Sequence, residues 1–122
     1  METQKFEELV ARAVESLPEE LRERLENIDI IVADEPTRAQ LSHSGLRRNE
    51  TLLGLYEGVP LTDRTAGYTY HLPDKITIFQ KPIEAASKNE SQITSKIQQV
   101  VRHEIAHHFG IDDDRLKELR RY

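Results

Sequence analysis

The chain has 122 residues, and its 22 acidic residues outnumber the 17 basic ones to give a formal net charge of −5. This length fits one compact domain, so we expect a single domain over residues 1–122. An acidic chain without a basic cluster argues against nucleic acids and anionic membranes as partners, because both bind to basic surfaces. The absence of cysteine excludes disulfides, thiolate metal ligands and a cysteine nucleophile.

The N-terminal sequence METQKFEELV is charged and amphipathic, unlike a signal peptide, and no apolar run approaches membrane length. We therefore expect a cytoplasmic protein without membrane association. The sequence gives no indication of its oligomeric state.

The first third of the chain predicts two helices followed by a strand. Apolar residues recur with the spacing of one buried helix face at Phe6, Leu9, Val10, Ala13, Val14 and Leu17. Ser16 and Glu19 match a capping box that would begin a short second helix reaching about Glu26. The β-branched run from Ile28 to Val32 predicts a strand.

The middle of the chain predicts loops and two further strands. Residues 35–50 are polar and contain a glycine, so we expect a loop there. Strands are expected over Thr51–Tyr56 and Ile76–Phe79, with a short helix near Ile83–Ser87. If its edge is free, the strand Ile76–Phe79 is also a candidate for the rim of a peptide-binding cleft.

The clearest element is a long helix near the C-terminus. Its buried stripe repeats every four residues at Ile93, Ile97, Val101, Ile105 and Phe109. Gly110 suits the end of this helix, and Asp112 suits the cap of a last helix from Asp113 to about Arg120. Helices and strands do not alternate regularly, so the predicted fold class is α+β.

This helix carries the pattern His103-Glu104-Ile105-Ala106-His107. Residues four apart lie on the same helix face, so His103 and His107 can bind one zinc ion together, nearly opposite the buried stripe. In this arrangement the glutamate, Glu104, usually acts as a general base. His108 follows Glu104 by four residues and is either a positioning partner for it or a plain polar neighbour.

Gly110 allows a sharp turn after the helix, which lets Asp113 reach the same metal. Asp112 and Asp114 compete with Asp113 for this role, but the spacing favours Asp113. Three protein ligands leave a fourth position for water, as a catalytic zinc site requires.

The segment HEIAHHFGIDDDRL resembles the signature of a bacterial family of minimal zincin-like metallopeptidases, and LLGLYEGVPLTDR and LPDKITIFQKPIE extend the similarity upstream. The resemblance implies a small matrix-metalloproteinase-like fold with His103, His107 and Asp113 as zinc ligands, Glu104 as the catalytic carboxylate and a peptide or protein as substrate. Larger relatives have histidine at the position of Asp113 and a methionine turn below the metal, which this chain lacks because its only methionine is Met1.

Two other functions remain open from the sequence. One is a non-catalytic zinc-binding module whose metal holds the C-terminal segment in place. The other is a regulatory protease that recognises one protein target. Tyr68, Tyr70 and His71 are candidates for stabilising an oxyanion, although tyrosines in a turn-rich segment are more often simple packing residues.

Overall fold

The computed structural model describes residues 1–43, 51–58 and 74–109, and for residues 43 and 107–109 it describes the backbone alone. The helices are α1 (Thr3–Glu15), α2 (Glu19–Arg24), α3 (Arg38–His43), α4 (Gln80–Ala85) and α5 (Glu90–Phe109), and the strands are β1 (Ile28–Ala33), β2 (Gly54–Glu57) and β3 (Asp74–Phe79). This mixture confirms the predicted α+β class. Within the described ranges, no helix has the length and apolar character needed to cross a membrane.

The three strands form one mixed sheet in the order β1-β3-β2. β1 pairs with β3 in parallel, with Ile30 opposite Ile76, whereas β2 pairs with β3 in antiparallel fashion, with Tyr56 opposite Ile76. β3 is therefore the central strand and is paired on both sides, so the condition under which its edge could bind a peptide is not met. Periodicity identifies a strand but carries no information about which neighbours it acquires.

The core lies between one face of the sheet and the helices α1, α2 and α5. Its fully buried side chains come from every one of these layers, and they include Phe6, Leu21, Ile76, Ile78, Ile97, Val101 and Ile105. The predicted stripe of α5 is thus confirmed for its first four residues, Ile93, Ile97, Val101 and Ile105. The side-chain amide of Gln98 also donates to the carbonyl oxygen of Ala13 at 3.1 Å, which connects α5 to α1.

Two local predictions need correction. The segment 35–50 was expected to be a loop but contains α3, because Thr37 and Gln40 form a reciprocal capping box at 2.9 and 3.1 Å. Ser16, in contrast, does not cap α2, since its hydroxyl donates to the carbonyl oxygen of Arg12 at 2.9 Å and Pro18 occupies the cap position. The start of α5 is capped by Asn89, whose side chain accepts the amide of Gln92 at 2.9 Å.

Candidate metal centre

His103 and Glu104, the polar residues of the histidine–glutamate pattern whose side chains are described, are less buried than the core residues of α5. His103 is exposed and Glu104 is half-buried, while Val101 and Ile105 on the other side are completely buried. The α-helix is unbroken to Phe109, so positions 103 and 107 are one turn apart, with an axial rise of about 6 Å. Val101 and Ile105 thus face the core, whereas His103, the candidate ligand whose side chain is described, is exposed.

The carboxylate of Glu104 is bound to the neighbouring strand. Its Oε2 atom accepts a hydrogen bond of 3.3 Å from the backbone amide of Tyr56 on β2, which lies 48 residues earlier in the chain. Because the donor is a backbone amide, its position does not depend on the side-chain rotamer of Tyr56. Glu104 is thus oriented by the main chain of the sheet.

The hydrogen-bond pattern of the sheet shows that this amide points outwards from β3. The amide of Phe79 donates to the carbonyl oxygen of Leu53 at 3.0 Å, so these two residues form a hydrogen-bonded pair. Because such pairs alternate along an antiparallel ladder, the main-chain groups of Gly54 and Tyr56 point to the outer edge of β2. Glu104 consequently lies at that outer edge.

A close approach between α5 and β2 sets this geometry. A Cβ atom added at Gly54 would lie 2.3 Å from Cγ1 of Val100 and 3.1 Å from the carbonyl oxygen of Thr77. Tyr56 lies two residues after Gly54 on β2, and Glu104 lies one helical turn after Val100 on α5. The corresponding rises, about 6.7 Å in the strand and about 6 Å in the helix, nearly match. Gly54 therefore allows the approach that brings the Tyr56 amide to the carboxylate.

Side-chain hydrogen bonds fix the end of β2 on both sides. The Tyr56 hydroxyl donates to Oδ2 of Asp74 on β3 at 2.7 Å. The side-chain amide of Gln40 on α3 donates to Oε1 of Glu57 at 3.0 Å. These contacts hold the strand segment that contacts Glu104, so the carboxylate is supported by a fixed partner.

Several predicted site residues lie outside the described part of the chain. These are Asp113, Gly110, Tyr68, Tyr70 and His71, together with the side chains of His107 and His108. Within the described residues, no group of three or more metal-binding side chains is present. The prediction that His103, His107 and Asp113 share a metal therefore stays a prediction.

The one described donor, His103, and its position on the helix are suited to zinc. The imidazole of His103 is exposed to solvent at one helix position, and position 107 follows one turn later, which is the spacing that lets two imidazoles bind one ion. Glu104 stands between these positions in sequence, but its carboxylate is held at the strand. This separates a ligand position from a carboxylate that is oriented by the protein, and zinc fits such a site.

Sequence reasoning missed Gly54 and Tyr56 as parts of the site. A glycine within a predicted strand signals a close backbone approach, and that signal was present at Gly54. The contribution of Tyr56 comes through its backbone amide, which every residue except proline possesses. No side-chain pattern could have identified it.

Comparisons with known proteins agree with this fold. The chain is similar to a conserved hypothetical protein from Thermus thermophilus, with 19% sequence identity and a TM-score of 0.56, over 89% of this chain and 94% of that one. At this identity the similarity shows the fold alone. No curated protein matches the chain.

The model of one protein family, described as zincin-like metallopeptidase, matches residues 25–122. This range includes all three strands and the whole of α5, with Glu104 and the Tyr56 amide that binds it. The small sheet, the long C-terminal helix and this match agree with one another. The chain belongs to the zincin-like metallopeptidase family.

Proposed function

We propose that this chain is a zinc-dependent peptidase, in which His103, His107 and Asp113 bind the metal and Glu104 is the general base. Membership in the family suggests a peptidase or zinc-binding function. The observation that supports the peptidase is the half-buried carboxylate of Glu104, which lies next to an exposed histidine and is held at the outer edge of β2. We further propose that residues 1–122 form a single catalytic domain.

The proposed reaction is hydrolysis of a peptide bond by water. Zinc, when bound, supplies Lewis acidity that makes a water molecule easier to deprotonate near neutral pH. Glu104 accepts the proton from the attacking water and then donates it to the amine of the leaving peptide. The Tyr56 amide holds Oε2 of this carboxylate in place at the edge of β2.

The outer edge of β2 offers a place for the substrate. In the described part of the chain, β2 pairs with β3 on one side and has no strand on the other. The carbonyl oxygen and the amide of Gly54 point to that side, where an extended peptide can pair with them. A peptide bound there would pass directly beside Glu104.

A non-catalytic zinc module is the second candidate, and one observation favours it. A structural metal site has no use for a general base, but the contact with the Tyr56 amide gives Glu104 a structural partner. The carboxylate would then help to attach α5 to β2. Zinc content alone does not distinguish the two functions, since both require the metal.

The distinguishing experiment compares the wild type with Glu104→Gln, each loaded with zinc. Glutamine keeps an oxygen that can accept the Tyr56 amide but cannot serve as a general base. For a peptidase we expect hydrolysis of fluorescein-labelled casein to fall by about 10²–10⁴-fold, with zinc content and thermal stability retained. Glu90→Gln, on the first turn of the same helix, is the matched control and should keep full activity. Equal rates for the wild type and Glu104→Gln would contradict the proposal.

A further inference from the structure

A groove lies on the opposite side of the molecule from Glu104, between α1 and the outer edge of β1. It has a volume of about 660 Å³, which is the size of sites that bind small ligands or a few side chains. Its apolar lining includes Val10 and Val14 from α1 and Ile30 and Val32 from β1, and Glu7 and Glu15 also border it. The groove is thus apolar inside and acidic at its borders.

The apolar face of the sheet extends into this groove, where the described residues cover it only in part. Ile30 and Val32 pair in register with Ile76 and Ile78 on β3. All four side chains are β-branched and aliphatic. The two β3 residues are completely buried, whereas the two β1 residues are only partly buried. Since the pairs share one face of the sheet, the difference arises because the described residues cover β3 more fully than the outer side of β1.

The outer edge of β1 has no strand partner among the described residues. The inner edge of this strand bonds to β3. On the opposite face of the same strand, Ile31 exposes 40% of its surface. An exposed apolar edge strand of six residues is a template for pairing with another chain segment.

The charges around the groove indicate which kind of segment would pair. The carboxylates of Glu7 and Glu15 form no ion pair with any described residue, and none of the described residues that line the groove is Lys or Arg. Asp29 is exposed on β1 nearby. A second copy of this chain would bring like charges together, so the surface favours a partner that supplies basic side chains.

We propose that this groove, which we call the α1–β1 groove, binds an extended segment of a partner protein in which apolar residues alternate with Lys or Arg. The segment adds to the outer edge of β1 as a further strand. Its apolar side chains cover Ile30 and Val32, and its basic side chains approach Glu7 and Glu15. This binding uses the side of the sheet remote from β2, so it does not depend on peptidase activity.

The test uses the full chain and a fluorescein-labelled eight-residue peptide in which valine alternates with lysine. Fluorescence anisotropy should show saturable binding with a Kd below about 100 μM at low salt, weakening as salt is added. A control peptide with glutamate in place of lysine should bind at least about tenfold more weakly. In ¹⁵N-resolved NMR spectra, the amides of β1 should shift on addition of the lysine peptide, while those of β2 should not.

Variants of the groove locate the binding. The double charge reversal Glu7→Lys/Glu15→Lys should weaken binding at least about tenfold, and Glu8→Lys, a charge reversal on the same helix outside the groove, should change it less than about twofold. No saturable binding of the lysine peptide would overturn the proposal. Unchanged binding by the double reversal, or equal binding of the glutamate peptide, would do so as well. A concentration-dependent dimer in sedimentation experiments, abolished by Ala11→Arg, would also overturn the proposal, because the groove would then bind a second copy of the chain.

Discussion

Replacing Gly54 with alanine tests the close approach that positions Glu104. The new methyl group would lie 2.3 Å from Cγ1 of Val100 and 3.1 Å from the carbonyl oxygen of Thr77. Carbon atoms in good contact are about 3.5–4.0 Å apart, so the strand and helix must separate by more than about 1 Å. Val100 cannot easily rotate away, because a β-branched side chain in a helix has one strongly preferred rotamer.

We expect Gly54→Ala to reduce the free energy of unfolding by about 1–3 kcal/mol, the usual cost of overpacking a core. For a domain of this size, each kcal/mol corresponds to a fall in Tm of about 4 °C. Urea denaturation followed by circular dichroism measures the loss directly. The Tyr56 amide should also lose its contact with Glu104 and exchange its proton faster.

Val100→Ala provides the matching control, since it removes the methyl group with which the new side chain collides. Alone, it should cost about 1–2.5 kcal/mol for the lost buried methyl groups. The double variant Gly54→Ala/Val100→Ala should be more stable than the sum of the two single losses predicts, by about 1 kcal/mol or more. Strictly additive losses, or a Gly54→Ala variant whose free energy of unfolding is within about 0.5 kcal/mol of wild type, would refute the close approach of Gly54 to Val100.

Three further predictions concern the site, α3 and the core. Glu104→Gln should move the NMR chemical shift of the Tyr56 amide proton upfield, because a neutral acceptor replaces a charged one; an unmoved resonance would argue against this hydrogen bond. Thr37→Ala should destabilise α3 by about 1 kcal/mol and accelerate its amide exchange, whereas Thr37→Asp should preserve the cap; identical exchange in both variants would contradict the capping box. Ile76→Ala should lower the free energy of unfolding by about 2–5 kcal/mol and Ile30→Ala by clearly less, since Ile30 is only partly buried; equal losses in chemical denaturation would show that the outer part of the sheet is fully covered.

The sequence predicted the elements whose signals are local and repeated. The buried stripe of α5 extends over several turns, and the apolar run of β1 is continuous, so both were found with nearly correct bounds. The capping box Thr37–Gln40 was equally local and was present in the sequence, but the polar composition of the segment obscured it. Ser16 matched the same pattern but was used differently, because its hydroxyl bonds back to the preceding turn.

The arrangement of the strands and the support of Glu104 could not be predicted in this way. β3 becomes central because β1 and β2 both pair with it, which depends on long-range packing rather than on its own sequence. The hydrogen bond from Tyr56 to Glu104 joins residues 48 positions apart and uses a backbone donor. Such a contact leaves no pattern of residue types, and it becomes visible only when helix and strand are placed together.

The most direct test of the proposed metal centre, on which the proposed function depends, is the zinc content of protein purified without added metal, measured by elemental analysis. The proposal predicts about one zinc per chain in the wild type and its loss in both His103→Ala and Asp113→Ala. Glu104→Gln and His43→Ala, neither of which removes a proposed ligand, should retain the metal. A wild-type protein without zinc, or one whose zinc survives both ligand substitutions, would contradict the proposed metal centre.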